Sequence, residues 1–320
     1  MPSRGRSDAA SGGEARGVSE DETPGGGQDA RDGRAGAGPQ GADGRPGAGQ
    51  EAGDARPGAG QGWDPGRYGQ FDAERSQPFH DLAGLVERAP GLRVIDLGCG
   101  SGELTAWLHR ELGAVATLGI DRSEAMIERA APHGGGGVAF RVASIEATLA
   151  SEPPGSWPLV FSNAALQWLP DHATLLPAVA ALVAPGGQLA IQMPANGDHP
   201  SHRIGRELAR DPRFSGPLDG FERVDTVQPP EWYAERLWEL GFARQHVRLQ
   251  VYTHLLPSTR SVSEWVQGSL LTPYRERLSA TDYAAFLATY EQRLLAKLGE
   301  RAPYLYAFKR LLIWGRRAEA

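Results

Sequence analysis

The first 62 residues offer almost nothing to bury. From Met1 to Gly62 there is no aromatic side chain, and Met1 and Val18 are the only apolar ones larger than alanine. Glycine, alanine, proline and charges of both signs make up most of the rest, and the hexamer RPGAGQ occurs at 45–50 and again at 56–61. A stretch of this kind cannot offset the entropy of ordering itself, so 1–62 is expected to be a disordered tail rather than a domain. It also lacks the apolar centre of a signal peptide, and its acidic residues argue against a transit peptide. No run in the chain approaches the roughly 18 consecutive apolar residues of a membrane span, which excludes a membrane as an expected partner. Cysteine is nearly absent, and Cys99 alone makes no internal disulfide, which suits a reducing cytoplasm. Lysine occurs only at Lys297 and Lys309, with arginine supplying the remainder of the 33 basic residues. The net charge is −6 and no basic stripe stands out, so nucleic acid is not an expected partner.

Aromatic residues arrive abruptly with Trp63, Tyr68, Phe71 and Phe79, and folding is expected to begin there. Residues 63–320 are enough for one α/β domain with elaborations. Gln70 to Glu87 has helical spacing, with Phe71, Phe79, Leu82 and Val86 on one side. Short apolar runs (LRVIDLG, VATLGID, GVAFRVAS, WPLVFSNA and QLAIQMP) then alternate with helical stretches, and Ser123 is the expected N-cap of one of them. Alternation of this kind predicts crossover connections and a mostly parallel sheet. After Pro194 the rhythm breaks. Two insertions, at about 196–230 and 258–301, are expected to place helices as a lid over the carboxyl edge of an open sheet of about seven strands. In the second, Ser261 and Glu264 have the spacing of a capping box.

The segment VIDLGCGSGELT, Val94 to Thr105, joins the first strand to its helix through Gly98, Gly100 and Gly102. A strand–helix turn at the carboxyl edge is where open α/β sheets bind nucleotides, and glycine there lets the ligand approach the backbone. Asp121 ends the second strand about twenty residues on, in place to accept from both hydroxyls of a ribose. The spacing separates dinucleotides from S-adenosylmethionine. A dinucleotide fingerprint is G-x-G-x-x-G, whereas Glu103 occupies its third glycine position here and would crowd and repel a pyrophosphate. Asp96, two residues before the first glycine, is a carboxylate suited to a ligand bearing an ammonium and a sulfonium.

Five stretches sharpen this expectation: WDPGRYGQFDAERSQP, DLGCGSGELT, GIDRSEAMI, FSNAALQWLPDH and AIQMPANGDHPSH. In order and spacing they resemble the trans-aconitate 2-methyltransferase family, class I enzymes that use S-adenosylmethionine, from Trp63 to the terminal arginines. The resemblance implies a Rossmann-like class I methyltransferase fold and a cytoplasmic enzyme that methylates a carboxylate of a small tricarboxylic acid. By position it puts Gly98, Gly100 and Gly102 at the methionine end of the cofactor and Asp121 at the ribose. Arg122 and Met126 fall beside the adenine, with Ser144 and Ile145, where the family has Asp-Ile. Ser144 thus predicts a weaker or water-mediated contact to the adenine amine. Asn163 would line the cofactor pocket, and Tyr68, Phe71 and Arg75 would close over it.

Methylating a carboxylate needs no general base, because an acid with pKa of about 4 is already ionised at neutral pH. No catalytic residue and no metal are therefore expected, only in-line positioning and cationic partners for the acceptor's other carboxylates. Candidates for holding the acceptor are Gln167, Trp168, His202, Tyr252 and His254, with His199 and Arg203 behind them. Tyr252 and His254, two residues apart on one strand face, are expected to face the lid together. Thr272 and Gln77 stand where the family pattern has arginine, which leaves open a different, less acidic small acceptor, unless Arg275 and Arg277 compensate. A cofactor-binding protein without catalysis, using the tail to reach a partner, is a third reading, and a nicotinamide dehydrogenase a fourth. A pocket with three or more Arg and His side chains would favour a polycarboxylate. A monomer is expected.

Overall fold

The structure, a computed structural model, describes residues 72–319, with side chains from Ser76 onward. Seven strands form one sheet: β1 (Arg93–Leu97), β2 (Ala116–Asp121), β3 (Val138–Val142), β4 (Trp157–Asn163), β5 (Val183–Pro194), β6 (Arg244–Leu256) and β7 (Tyr304–Arg316). They lie in the order β3-β2-β1-β4-β5-β7-β6. The first five are parallel, and β7 runs antiparallel to both β5 and β6. The strand order reverses between β1 and β4, and the turn after β1 opens at that switch point.

Both faces of the sheet are covered, which is why its central strands are apolar throughout rather than alternating. Ile95, Leu97, Leu189 and Ile191 pack against α5 (His172–Ala181) and α8 (Pro230–Glu239) through Leu176, Val179, Tyr233 and Leu237. Val94, Leu159, Phe161 and Ala190 point the other way, onto α1 (Asp72–Ala83) and α2 (Glu103–Leu112) through Phe79, Leu82 and Leu108. Two short helices complete the crossovers, α3 (Glu124–Ala130) and α4 (Ile145–Ser151). Ser123 caps α3 as expected, its hydroxyl accepting from the Met126 N–H at 3.4 Å.

Helices from the two stretches after Pro194 build a core of their own. They are α6 (Pro200–Ala209), α7 (Pro212–Ser215), α9 (Ser261–Gln267), α10 (Thr272–Arg277) and α11 (Ala280–Leu298). Leu208, Phe214, Trp265, Tyr274, Phe286 and Tyr290 meet there against Tyr306 and Phe308 of β7. Three helices occupy the second stretch, because Pro273 starts a separate turn ahead of α11. The capping box is also corrected. Ser261 lies inside α9, whose N-cap is Arg260 in helical geometry with no side-chain cap. No helix among the described residues is long and apolar enough to cross a membrane.

Candidate functional site

The three glycines of the first turn have different work. Gly98 and Gly102 take left-handed φ of 86° and 75°. A Cβ on Gly98 would fall 2.3 Å from the Ala165 Cβ, and one on Gly102 would fall 2.6 Å from the Phe140 ring. These two glycines let the turn press against its neighbours. Gly100, with φ of 56°, has no described atom within 4 Å of where its Cβ would stand, so a side chain there would project into open space above the turn. Four of the turn's backbone N–H groups already have partners. Gly98 and Cys99 donate to the Ile120 carbonyl at 2.9 and 2.8 Å, Gly102 donates to that of Cys99, and Gly100 donates to Asp121 Oδ2 at 3.1 Å. A pyrophosphate cradle draws on such groups, and these four are not free for one.

Carboxylates dominate instead. Asp121 also accepts from the Ser123 N–H at 2.9 Å, which fixes its carboxylate at the mouth of β2 with lone pairs to spare. Asp96 is buried beneath the turn and accepts from the Thr105 hydroxyl at 2.5 Å. Burial, aided by nearby Asp121, pushes its carboxyl up to about 7 despite that hydrogen bond. Asn163 ends β4 with its Oδ1 buried and unpartnered among the described residues. Ser144 caps α4, accepting from the Ala147 N–H at 3.1 Å, so serine meets the helix-capping need an aspartate would meet there. Met126 is buried on α3, Arg122 is exposed beside it, and Ile145 packs under the sheet. An acid at the ribose position, an acid below and an unpaired amide oxygen fit a cationic nucleoside such as S-adenosylmethionine. Tyr68 and Phe71 lie outside the described residues. Arg75 lies within α1, but its side chain is not described.

Beyond β4 the chain forms a 3₁₀ turn, Leu166–Trp168, and there a cavity of about 120 Å³ opens. Ala165, which touches Gly98, lies between Ala164 and Gln167, both of which line it, so the cavity adjoins the glycine turn. Its walls carry three guanidinium groups, Arg206 of α6, Arg223 of the segment before α8, and Arg310 of β7, against a single carboxylate, Asp225. Arg206 donates to the Gly197 carbonyl at 2.6 Å. Arg223 donates to the Ser269 carbonyl at 3.3 Å and lies over the Trp168 ring at 4.5 Å. Burial lowers its pKa below the ordinary arginine value. His202 also lines the cavity, with its Nδ1 3.0 Å from the Ser201 hydroxyl. Burial first, then Arg223, His199 and Arg206, pull its imidazole down to about 3, so it is neutral at physiological pH.

Of the acceptor candidates, Gln167, Trp168 and His202 meet in this cavity. Tyr252 and His254 do not, which is a correction. They do share one buried strand face, but β6 lies one strand outside β7, the strand that supplies the wall. Tyr252 donates to Asp81 of α1 at 2.7 Å, and His254 stacks on Trp265 at 4.6 Å, behind the wall rather than in it. His199 caps α6, accepting from the Ser201 N–H at 3.2 Å. Arg203 is exposed and pairs with Glu207. Thr272 and Gln77 are not cavity residues either: Thr272 is fully buried and donates to the Gln267 carbonyl, while Gln77 donates to Asp81. Arg277 lies over Phe221, and neither it nor Arg275 lines the cavity.

The cationic wall comes from arginines that the sequence reading passed over. Arg206 follows His202 by one helical turn, the spacing that puts two side chains on one face. Arg310 takes the inward place in the alternation Tyr306, Phe308, Arg310, Leu312, a charge where the pattern calls for an apolar residue. Arg223 sits in an irregular segment, where no period marks it.

Residues 71–251 match the family described as a methyltransferase domain. Over 264 residues the chain is 40% identical to a trans-aconitate 2-methyltransferase of Deinococcus radiodurans, covering 80% of this chain and 99% of the relative. It is likewise 40% identical over 261 residues to the trans-aconitate 2-methyltransferase of Methylobacterium nodulans, covering 80% of this chain and 98% of that one. A solved protein of Bacillus halodurans superposes with a TM-score of 0.51 at 14% identity, over 76% of this chain and 99% of its own, a likeness of fold alone.

Proposed function

The chain belongs to the trans-aconitate 2-methyltransferase family, and from that premise we propose how its two adjoining sites carry out the reaction. The protein is an S-adenosylmethionine-dependent methyltransferase acting on a carboxylate of a small polycarboxylic acid, trans-aconitate. S-adenosylmethionine supplies a methyl group on a sulfonium, and its transfer to a carboxylate oxygen forms an ester and leaves a neutral thioether, with no proton to move.

The protein therefore binds, aligns and excludes water, which accounts for roughly 7–11 kcal/mol of barrier lowering when the reacting atoms are held in line. Asp121 takes the ribose hydroxyls, Asp96 faces the positive end of the cofactor from below, and Asn163 lies beside it. Gly100 gives the cofactor access to the turn, and Met126, Ser144 and Ile145 flank the adenine. On the acceptor side Arg206, Arg223 and Arg310 hold carboxylates, with neutral His202, Gln167 and Trp168 completing the pocket. The observation that carries this reading is the cavity's charge, three guanidinium groups to one carboxylate, at the edge of the glycine turn. That composition suits a polyanion and leaves little reason for a less acidic acceptor.

The test is incubation of the full-length protein with methyl-labelled S-adenosylmethionine and trans-aconitate. Label is expected in a monomethyl ester of the acid. No ester at saturating acceptor would end the assignment.

A further inference from the structure

Arg223 is a half-buried cation with no ion pair among the described residues. Its guanidinium lies within the wall of the cavity, yet among the described residues it donates one side-chain hydrogen bond, from Nη1 to the Ser269 carbonyl, and has no carboxylate within ion-pairing distance. The group has five N–H donors in a planar fork. A partly desolvated charge without an ion pair has donors left for a ligand's carboxylate. Asp225, the one acid of the wall, does not pair with it; its carboxylate instead lies where a Gly197 Cβ would stand. The Arg223 guanidinium carbon lies over the Trp168 ring, 4.5 Å from its centroid, a contact that restrains the guanidinium before any ligand arrives.

We propose that Arg223, oriented by Trp168, is the specificity residue of the acceptor site: it takes, through its fork, a carboxylate of the acceptor other than the one that is methylated. The acceptor must then present at least two carboxylates, and a monocarboxylate of similar shape leaves the fork unfilled. Trp168 is a positioning residue, acting through Arg223. This inference rests on the polycarboxylate reading given above.

The experiment uses full-length wild type, Arg223→Gln, Arg223→Lys and Trp168→Ala. Binding of trans-aconitate is measured by calorimetry with S-adenosylhomocysteine already bound, so that no turnover intervenes, and steady-state rates are measured in parallel. Arg223→Gln is expected to weaken trans-aconitate binding roughly 100-fold, the loss typical of one partner of a buried charge pair, while leaving S-adenosylhomocysteine affinity unchanged. Arg223→Lys keeps the charge without the fork and recovers only part of that loss. Trp168→Ala raises KM about tenfold with a smaller change in kcat. Crotonate, a monocarboxylate, should be methylated poorly and equally poorly by wild type and Arg223→Gln. Without acceptor, the melting temperature of Arg223→Gln is expected not to fall, since the change removes a half-buried charge that has no ion pair; a merely structural arginine would lower it. Unchanged trans-aconitate binding in Arg223→Gln, or equal losses for trans-aconitate and crotonate, would overturn the inference while leaving the function intact. A wild type that methylates no polycarboxylate would instead overturn the function, and this inference with it.

Discussion

Asp96 should make cofactor binding depend on pH. In the free protein burial pushes its carboxyl up to about 7, so below that pH the neutral form prevails. A cationic ligand favours the ionised form, and binding at lower pH must first expel the proton. The affinity for S-adenosylmethionine is therefore expected to fall as pH falls below about 7, approaching tenfold per unit. Asp96→Asn, which keeps the Thr105 contact, should flatten the profile. Calorimetric titrations between about pH 5.5 and 7 measure this, and a wild-type Kd constant over that range would contradict it. Residues of this kind were legible in the sequence, because Asp96, Gly100 and Asp121 sit at fixed places relative to a strand–turn–helix unit. Arg223 was not, because the segment that carries it has no period to say which way a side chain points. The departures at Thr272 and Gln77 had suggested a weaker charge for the acceptor. The structure puts Thr272 in a hydrogen bond to Gln267 and Gln77 on Asp81, while other arginines supply the cavity's charge.

Among the elements, the segment before α8 is held by contacts that leave little slack. The Asp225 carboxylate presses on Gly197 so closely that a Cβ there would come 1.5 Å from Oδ2. Gly197 also offers its carbonyl to Arg206, and Thr226 donates to the Gln167 carbonyl at 2.9 Å. One glycine thus fits the segment after β5 to the segment carrying Arg223, with cavity residues on both sides. Gly197→Ala is expected to displace Asp225, raise the acceptor KM several-fold and lower stability by about 1–3 kcal/mol, the usual cost of overpacking. Kinetics and thermal melting check this, and unchanged values for both would show that the two segments are not coupled here. The period of the sequence located α1 and the strands β1 to β5. It did not resolve the short turns at Pro212–Ser215 and Thr272–Arg277, where a proline begins a helix too brief to show a repeat. It also could not place Tyr252, because alternation fixes the face of a strand but not the strand's place in the sheet.

At the scale of the whole molecule, function follows from strand order. The turn that we assign to the methyl donor belongs to β1, and the cavity that we assign to the acceptor spreads over the ends of β4 and β5 and the middle of β7, in the same sheet. With strands about 4.8 Å apart, β4 to β7 spans about 10 Å, a width suited to a small acid with one carboxylate near the turn and others farther out. The antiparallel β7 brings Arg310 to that edge from the end of the chain, opposite Pro194 of β5. The acceptor cavity thus joins residues as distant in sequence as Ala164 and Arg310, which is why its charge was invisible until the chain was folded. A crystal structure of the full-length protein with S-adenosylhomocysteine and trans-aconitate tests this arrangement most directly. The acid is predicted in the cavity, with one carboxylate about 3 Å from the Arg223 fork and another facing the turn at Gly98 and Ala165. Trans-aconitate bound elsewhere, or in the cavity with no carboxylate on any of the three arginines, would contradict it.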